Sequence, residues 1–294
     1  MQDLKITLIQ PALHWENAEE NLCHFESVIQ PFKQTTDLII LPEMFSTGFS
    51  MNAESLAEEM NGTSMQWMQR TAEETGAVIT GSLIIKEAEK YFNRLIWMRP
   101  DGTHEHYDKR HLFGLGEEHK HYSAGKERII VSLNGWNICP LVCYDLRFPV
   151  WCRISPQSIV HSQQLKQNEG QNFDKSDKPN MDDGRWTVDK QQYDLLLFVA
   201  NWPERRNFAW KHLLQARAIE NQSYVAGVNR IGNDGNNIYH SGDSSLVSPL
   251  GEVIFTQADT AFAKTFALSK EQLNAVREKM PFLRDADNFE VRQE

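Results

Sequence analysis

The amino-acid sequence predicts an α/β protein whose sheets are covered by helices. Apolar segments of strand length alternate with segments whose apolar residues recur at helical spacing, which is the pattern of a layered α/β fold. Two strand segments, 37–41 and 193–199, are apolar apart from one Asp near the start of each, as is typical of strands buried on both faces. The chain of 294 residues, with 15 Phe and 8 Trp, is long enough for a substantial core.

The predicted elements of the first half alternate in type along the chain. They are a strand over 5–10, a helix over 16–30, a strand over 37–41, a helix over 64–74, and paired strands over 77–86 and 91–99. Gly76 ends the second helix, because glycine is favoured just beyond helix C-termini. The turn Pro100-Asp101-Gly102 leads into a further strand that ends near Tyr107.

Strands predominate in the second half of the chain. They are predicted over 129–133, 136–142, 193–199, 224–229, 244–248 and 252–256, with one helix over 209–220. Asn134-Gly135 and Pro249-Leu250-Gly251 are the turn signals between neighbouring strands. The strand over 252–256 is expected to finish the sheet.

One long polar segment interrupts this order. Residues from about 155 to 190 are rich in Gln, Asn, Asp, Lys and Ser, and an apolar strand resumes at Tyr193. We therefore interpret the segment as an insertion and not as a linker, and loops of this length are usually functional or mobile. A C-terminal extension begins at about residue 270, with a helical pattern followed by a polar tail.

The charge of the chain limits its partners. There are 40 Asp and Glu against 30 Lys and Arg, which gives a formal net charge of −10. This argues against nucleic acid or an anionic membrane as a partner, since both attract clustered Lys and Arg. A small anionic substrate remains possible, because one Arg in a cleft outweighs a distant surface field.

The cysteines and the apolar runs predict a cytoplasmic protein. The four cysteines form no Cys-x-x-Cys pair and no small disulfide framework, so they are expected to be reduced thiols. The first residues enter a strand pattern without the basic and apolar regions of a signal peptide. No apolar run approaches the ~20 residues that span a bilayer.

Three predicted strands end in chemically distinctive residues. Glu43, Cys143 and the tripeptide Asn201-Trp202-Pro203 each follow an apolar strand. Ligand sites in sheets of this kind collect at the carboxyl ends of strands, so these residues form a candidate site. The segment 107–113, which contains Lys109, is a fourth candidate component.

These residue types suit acyl transfer from an amide. A cysteine thiol has a pKa near about 8.5 and needs a neighbouring base or positive charge in order to attack at neutral pH. Glu43 is suited to take the proton of Cys143 and later to pass it to the leaving amine. Lys109 and the backbone N–H after Cys143 are suited to hold the oxyanion. Cys139 lies within the same strand and is interpreted as core.

Three motifs follow one another in a fixed order. They are Leu41-Pro42-Glu43, Tyr107-x-Lys109-x-His111-Leu112-Phe113 and Cys143-Tyr144-Asp145-x-Arg147-Phe148-Pro149. In this order and at these intervals they resemble the nitrilase superfamily of carbon–nitrogen hydrolases. The resemblance covers nearly the whole chain apart from the insertion, and we expect one domain over 1–294. It implies a four-layer αββα sandwich, no cofactor, and association as a homodimer or higher homo-oligomer.

The resemblance also assigns catalytic residues. It implies a triad of Glu43, Lys109 and Cys143, with the thioester formed on Cys143. The family has a second glutamate several residues before a Tyr-x-x-Gly. Glu118, which precedes Tyr122-Ser123-Ala124-Gly125, matches this position better than its neighbour Glu117.

Further segments resemble the omega-amidase branch of the family. They are Asn201-Trp202-Pro203, Arg206, Trp210, 216–222 and 228–232. Enzymes of this branch hydrolyse the terminal amide of 2-oxoglutaramate and 2-oxosuccinamate, so the substrate would be small and anionic.

A guanidinium is the expected partner of the substrate carboxylate. Arg206 is the leading candidate and Arg147 the second. Tyr144, Trp202 and Phe45 complete the predicted substrate-binding set. For Trp202 and Phe45, packing in the aromatic core is an equally good interpretation of the sequence.

Several alternatives stay open or are disfavoured. Histidines 104, 106, 111, 119 and 121 lie near two glutamates, but their spacing matches no helical zinc motif, and we predict no metal site. Another specificity of the same superfamily, such as hydrolysis of N-carbamoyl amines, would use the same chemistry with a different pocket. Nitrile hydrolysis is less favoured. A catalytically silent binding module has no chemical reason to keep all four candidate catalytic residues.

Overall fold

Two β-sheets lie face to face, and helices cover the outer face of each. The structure is a computed structural model that describes residues 2–154 and 192–287. The layers run helix, sheet, sheet, helix, which confirms the predicted α/β class and the αββα sandwich. The insertion predicted over about 155–190 lies outside the described residues.

The first sheet is built mainly from the N-terminal half of the chain. Its strands are β1 (Leu4–Gln10), β2 (Leu38–Ile40), β3 (Val78–Glu87), β4 (Lys90–Met98), β5 (His104–Asp108) and β13 (Phe262–Leu268). Their order is β13-β1-β2-β3-β4-β5. Strands β1, β2 and β3 are parallel, whereas β4, β5 and β13 are antiparallel to their neighbours.

The second sheet has the same plan. Its strands are β6 (Val131–Leu133), β7 (Trp136–Val142), β8 (Leu195–Val199), β9 (Tyr224–Val228), β10 (Ile231–Asn233), β11 (Tyr239–Val247) and β12 (Val253–Ala258). The order is β10-β11-β9-β8-β7-β6, and β12 pairs with β11. The central strands β7, β8 and β9 are parallel, so their carboxyl ends meet at one edge, as do those of β1, β2 and β3.

The helices close the outer faces of the two sheets. They are α1 (Ala18–Ile29), α2 (Ala53–Leu56), α3 (Thr63–Thr75), α4 (Pro149–Cys152), α5 (Asn207–Asn221) and α6 (Lys270–Lys279). Helices α1 and α3 pack on the first sheet, and α5 packs on the second. Helix α5 approaches β9 so closely that a Cβ at Gly227 would lie 2.7 Å from Trp210 and Leu214. No described helix combines the length and the apolar character needed to span a membrane.

Strand β2 shows how the apolar runs organise these layers. Leu38 and Ile40 face the core between the sheets, while Ile39 faces the cluster formed with α1 and α3. All three side chains are fully buried. A strand with an apolar layer on each side has no polar face, and this explains why the residues that follow Asp37 in the segment 37–41 are all apolar.

The C-terminal extension is anchored to the second sheet. Leu273 of α6 is buried in the main core. Arg277 donates to Asp194 Oδ1 at 3.0 Å, and Lys270 Nζ also donates to the Asp194 carboxylate. Asp194 directly precedes β8, so these ion pairs fasten the extension beside a central strand.

Most predicted elements are confirmed, and three are corrected. The last strand is β13, not the segment 252–256; β13 pairs with β1 in the first sheet, whereas the strand near 252–256 belongs to the second sheet. Strand β11 begins at Tyr239 and not at 244. The sequence pattern did not indicate its first half, because that half contains buried polar residues and a bulge at Gly242. The short strand β10 was not predicted, since its polar residues carry no apolar alternation.

Candidate active site

The carboxyl ends of β2, β7 and β8 meet at one edge of the sandwich. Glu43 lies three residues beyond β2 in the first sheet, and Cys143 follows β7 in the second. Asn201, just beyond β8, joins the two sheets, because its backbone N–H donates to Glu43 Oε2 at 2.8 Å. The structure therefore brings together the strand ends that the sequence analysis selected.

Glu43 is a buried carboxylate with a full set of donors. Its side chain is 0% exposed. Oε1 accepts hydrogen bonds from Lys109 Nζ at 2.9 Å and from Asn93 Nδ2 at 2.8 Å. With the Asn201 donor on Oε2, both oxygens are fixed in orientation, and a buried carboxylate is stable only with such partners.

Lys109 lies at the centre of the buried charges. It follows β5, is 1% exposed, and donates to Glu43 and to both oxygens of Glu118 at 2.9–3.0 Å. Burial on its own would lower the pKa of this lysine. The attraction of Glu118 and of Glu43 outweighs burial and raises the pKa of Lys109 above its ordinary value, so the side chain is an ammonium.

Glu118, and not Glu117, is the second glutamate of the site. Glu118 is fully buried on Lys109 and also accepts a hydrogen bond from the Phe113 backbone N–H at 2.5 Å. Glu117 is exposed and pairs with Lys120. Burial raises the pKa of Glu118, Lys109 opposes this effect, and the nearby Glu43 adds to it.

Cys143 occupies a strained turn at the end of β7. Its φ is +43°, in the left-handed region that non-glycine residues rarely adopt. The residue is 9% exposed, and it lines the same cavity as Glu43. Burial first, and then repulsion by the Glu43 charge, raises the pKa of this thiol well above its ordinary value. Attack by Cys143 therefore requires a base that receives its proton.

Asp145 ties the turn of Cys143 to the segment of Lys109. The carboxylate is fully buried and accepts hydrogen bonds from the Val142 and His111 backbone N–H groups at 3.1 and 3.0 Å. The Tyr107 hydroxyl donates to Oδ2 at 2.8 Å. The His111 ring nitrogen lies 2.8 Å from Oδ1. One side chain thus holds the Lys109 segment and the Cys143 turn in register.

A cavity of about 180 Å³ opens above these residues. Its floor contains Glu43, Lys109 and Cys143, and Asn201 lies beside them. The walls are formed by Phe49, Met51, Phe113, Leu115, Gly116, Tyr144, Arg147, Trp202, Pro203, Arg205, Arg206, Asp234, Asn236, Ile238 and His240. Four of the five predicted substrate-binding residues therefore line one cavity.

Two arginines of the wall stack on aromatic rings. The Arg147 guanidinium lies 4.9 Å from the centre of the Trp202 ring, and that of Arg206 lies 4.9 Å from the Phe113 ring. Neither forms an ion pair within residues 2–154 and 192–287. Burial, and then repulsion by Arg205, lowers the pKa of Arg206. A carboxylate bound here would relieve that repulsion.

Phe45 is the one predicted substrate-binding residue that does not line the cavity, so the prediction for this residue is wrong. Its side chain is fully buried in the outer core of the first sheet. The ring lies 5.7 Å from Phe25 and 5.8 Å from Trp67. The residue directs its side chain towards α1 and α3 because it lies two positions beyond Glu43, where the chain has already turned.

The hairpin between β10 and β11 forms a wall that was not predicted. Asp234, Asn236, Ile238 and His240 line the cavity. Asp234 Oδ1 accepts the backbone N–H groups of Asn236 and Ile238 at 2.8 and 2.9 Å, which fixes the turn. Burial, and then the charge of Arg230, lowers the pKa of His240 to about 4, so this wall residue is neutral.

Asn93 is a second component that was not predicted. It lies in β4, is fully buried, and donates to Glu43 and to Glu118. In the sequence it is one polar residue of an ordinary strand.

The histidines near the site do not gather around one point. His111 contacts Asp145, and His104, His119 and His121 are exposed.

A thiol beside a buried carboxylate in a small cavity is suited to attack on an acyl carbon. The chain belongs to the carbon–nitrogen hydrolase family, whose sequence model matches residues 5–158 and 180–278. The resemblance to the nitrilase superfamily is therefore confirmed, and the protein is an enzyme of this family.

Named relatives span the whole chain. The omega-amidase YafV of Escherichia coli is 42% identical over 99% of this chain and 100% of its own length. The 2-oxoglutaramate amidase of Bacillus subtilis is 29% identical over 95% of this chain and 96% of its own. A CN-hydrolase superfamily protein of Xanthomonas campestris, solved with an arsenic adduct in its active site, superposes with a TM-score of 0.87. It is 40% identical, over 99% of this chain and 100% of that one.

Proposed function

We propose that the protein is an omega-amidase. It would hydrolyse the terminal amide of small 2-oxo acids, such as 2-oxoglutaramate and 2-oxosuccinamate, to the dicarboxylate and ammonia. One observation carries this proposal: a single cavity holds Cys143 beside Glu43 and also two arginines, Arg147 and Arg206, that have no ion pair among the described residues. Two relatives carry names of this activity, at 42% and 29% identity.

The first half of the reaction acylates Cys143. Glu43 accepts the thiol proton, the sulfur forms a bond to the amide carbon, and the carbonyl electron pair moves onto oxygen. The protonated Glu43 then gives its proton to the amide nitrogen. The carbon–nitrogen bond breaks, ammonia leaves, and a thioester remains on Cys143.

Lys109 would stabilise the oxyanion of the intermediate. One of its hydrogens suffices for Glu43, and a second, shared between two oxygens, suffices for Glu118. The third hydrogen is then available for the oxyanion. The backbone N–H of Tyr144, which follows the nucleophile, is the second donor, and preorganised donors of this kind lower the barrier of acyl transfer.

The second half of the reaction hydrolyses the thioester. Glu43 removes a proton from water, and the hydroxide adds to the thioester carbon. The carbon–sulfur bond then breaks, the carboxylic acid product leaves, and the proton held by Glu43 returns to the Cys143 sulfur. Glu118 holds Lys109 in place during both halves, because it accepts from Nζ with both oxygens. No cofactor enters this sequence.

The arginines of the wall would select the anionic substrate. Arg206 is the leading partner of the substrate carboxylate, and Arg147 is the second. Tyr144 and Trp202 hold this region by ring contacts, Tyr144 with Phe113 and Trp202 with Arg147. A local pair of guanidiniums offsets the unfavourable net charge of −10.

We also propose a cytoplasmic homodimer or higher homo-oligomer. All four cysteines are free thiols, which suits a reducing compartment. The oligomer is expected from the family resemblance, and sedimentation of the purified protein measures it directly.

Ammonia release tests the proposed activity. The purified protein should release ammonia from 2-oxoglutaramate faster than from glutamine, asparagine or an N-carbamoyl amine. Cys143→Ala should lose activity by several orders of magnitude, in line with removal of a nucleophile. Cys139→Ala is the matched control, because Cys139 is a buried cysteine in the same strand and is outside the cavity.

Two outcomes would contradict the proposal at different levels. Equal turnover of all these amides, or no turnover of the keto acid, would exclude the substrate class and leave the hydrolase chemistry. Full activity of Cys143→Ala would exclude the mechanism itself.

A further inference from the structure

Asn93 joins two carboxylates that share one lysine. Its side chain is fully buried in β4. The Nδ2 group lies 2.8 Å from Glu43 Oε1 and 3.3 Å from Glu118 Oε1. An amide nitrogen carries two hydrogens, so one can be donated to each carboxylate.

The orientation of the amide follows from these contacts. If the amide were reversed, its oxygen would face two carboxylate oxygens and would be repelled by both. With the nitrogen inward, Asn93 Oδ1 is buried and has no hydrogen-bond partner in the described part of the chain. An unsatisfied buried acceptor is unfavourable, and the donation to two carboxylates is the interaction that compensates for it.

The backbone of Asn93 is also tied to the site. Its carbonyl oxygen accepts the backbone N–H of Lys109 at 3.0 Å. Asn93 therefore positions the lysine segment through its main chain and the two glutamates through its side chain.

The charges of the cluster make this contact important. Glu43, Glu118 and Lys109 are nearly inaccessible to water, and two carboxylates on one ammonium repel each other strongly in a medium of low polarity. Such a pair tends to take up one proton between them. A protonated pair would not accept the thiol proton of Cys143.

We propose that Asn93 is a positioning residue that holds Glu43 and Glu118 together in their ionised forms. By donating one hydrogen to each carboxylate, it keeps Glu43 ready to accept the proton of Cys143. The inference rests on the proposed function of Glu43 as the base, and it names a residue that acts on the reaction through that base.

Few other charged or titratable groups face the carboxylate pair. Lys109 lies between the two glutamates, and the Cys143 thiol faces Glu43 from the second sheet. Tyr122 acts over longer range; burial, and then Glu118, raises the pKa of Tyr122, so it stays neutral. Asn93 is thus the neutral side chain that donates to both carboxylates.

Asn93→Leu and Asn93→Asp test the proposal through the pH profile. Leucine removes both hydrogens at similar volume, and aspartate replaces the amide by a third carboxylate. Without the donors, the pair binds a proton at higher pH, so the acidic limb of kcat/KM should move up by about one pH unit in Asn93→Leu. In Asn93→Asp the acidic limb of kcat/KM should move to a still higher pH, because the added carboxylate repels the other two.

Alkylation of Cys143 gives a second measurement that needs no substrate. The rate of modification by iodoacetamide, followed by mass spectrometry of the Cys143 peptide, should show the same upward shift of its acidic midpoint. Cys23 is exposed and serves as an internal control whose profile should not change. If the keto acid is not turned over but the alkylation midpoint still shifts, the substrate proposal fails and the role of Asn93 stands.

Asn221→Leu is the matched control. Asn221 is also fully buried, donates to the Arg217 carbonyl oxygen at 2.9 Å, and lies outside the cavity. It should lower stability without moving either midpoint. Unchanged midpoints in both Asn93 variants, whatever their rates, would overturn the proposal, and so would an equal shift in Asn221→Leu.

Discussion

Asn201 fixes Glu43 from the opposite sheet. Its backbone N–H donates to Glu43 Oε2 at 2.8 Å, and its side-chain amide donates to the Glu43 carbonyl oxygen at 2.5 Å. The orientation of the carboxylate therefore depends on how the two sheets pack against each other. Since Cys143 lies at the end of the neighbouring strand β7, the same packing places the thiol beside the Glu43 carboxylate.

Arg206→Ala should weaken the use of an anionic substrate selectively. A lost hydrogen bond between charged groups costs about 1.5–3 kcal/mol, so kcat/KM for 2-oxoglutaramate should fall about 10- to 100-fold. A neutral primary amide should be affected much less. Steady-state kinetics on both substrates measures the difference, and the exposed Arg70→Ala is the control for loss of one positive charge. Equal losses on the two substrates would exclude Arg206 as the carboxylate partner.

Tyr107→Phe should loosen the junction between the lysine and cysteine segments. The hydroxyl donates to Asp145 and accepts from the Arg110 backbone N–H at 3.1 Å and the Trp151 indole N–H at 3.0 Å. Its removal leaves buried groups unpaired, and the free energy of unfolding should fall by about 2 kcal/mol. Urea denaturation measures this change, and kcat should fall with it.

The control for this experiment is a buried tyrosine that lies in the second sheet, away from the Asp145 junction. Tyr224 is 3% exposed and its hydroxyl makes a long hydrogen bond of 3.3 Å to the Ser269 carbonyl oxygen. Tyr224→Phe should lower stability less and leave kcat unchanged. A larger effect on kcat in Tyr224→Phe than in Tyr107→Phe would contradict the role assigned to the Asp145 junction.

Sequence reasoning located the floor of the cavity because its residues follow strong strand signals. Glu43 and Cys143 end apolar strands, and parallel strands bring such ends to one edge. Glu118 was separated from Glu117 by its spacing to Tyr122, and their burial differs as expected. Their catalytic roles stay proposals, whereas their meeting in one cavity is a property of the structure.

Asn93 and the hairpin between β10 and β11 escaped prediction for a physical reason. Asn93 lies within a strand whose other polar residues look similar in sequence, and only the fold shows which of them faces two carboxylates. The hairpin before His240 is polar, so it carries no apolar alternation. Phe45 was ambiguous for the same reason, since an aromatic residue suits a pocket and a core equally well.

Asp234→Leu should disturb substrate binding more than chemistry. Asp234 fixes the turn of the cavity wall by accepting two backbone N–H groups, those of Asn236 and Ile238. Leucine leaves both donors unpaired, and we expect KM to rise by about tenfold with little change in kcat. Asp234→Asn keeps an acceptor oxygen and should retain a nearly normal KM. A fall in kcat at constant KM would show that the turn does not act through binding.

Glu118→Gln should separate stability from activity. Burial raises the pKa of Glu118, with Lys109 opposing and Glu43 reinforcing this effect. A carboxyl group whose pKa is higher in the folded than in the unfolded protein lowers stability as the pH rises through that interval. The neutral glutamine escapes this penalty, so Tm at pH 8 should be higher than in the native protein, by about 2 °C.

The difference in Tm should shrink as the pH falls towards the ordinary pKa of a glutamate, because the native carboxyl then becomes protonated in the unfolded as well as in the folded state. Activity should nevertheless fall at least about tenfold, because Lys109 loses one of its anionic partners. Thermal unfolding between pH 4 and 8 and ammonia release together test this pair of effects. Glu117→Gln, on the exposed neighbour, should change neither quantity. A lower Tm of Glu118→Gln at pH 8 would mean that the attraction of Lys109 exceeds the combined effect of burial and Glu43.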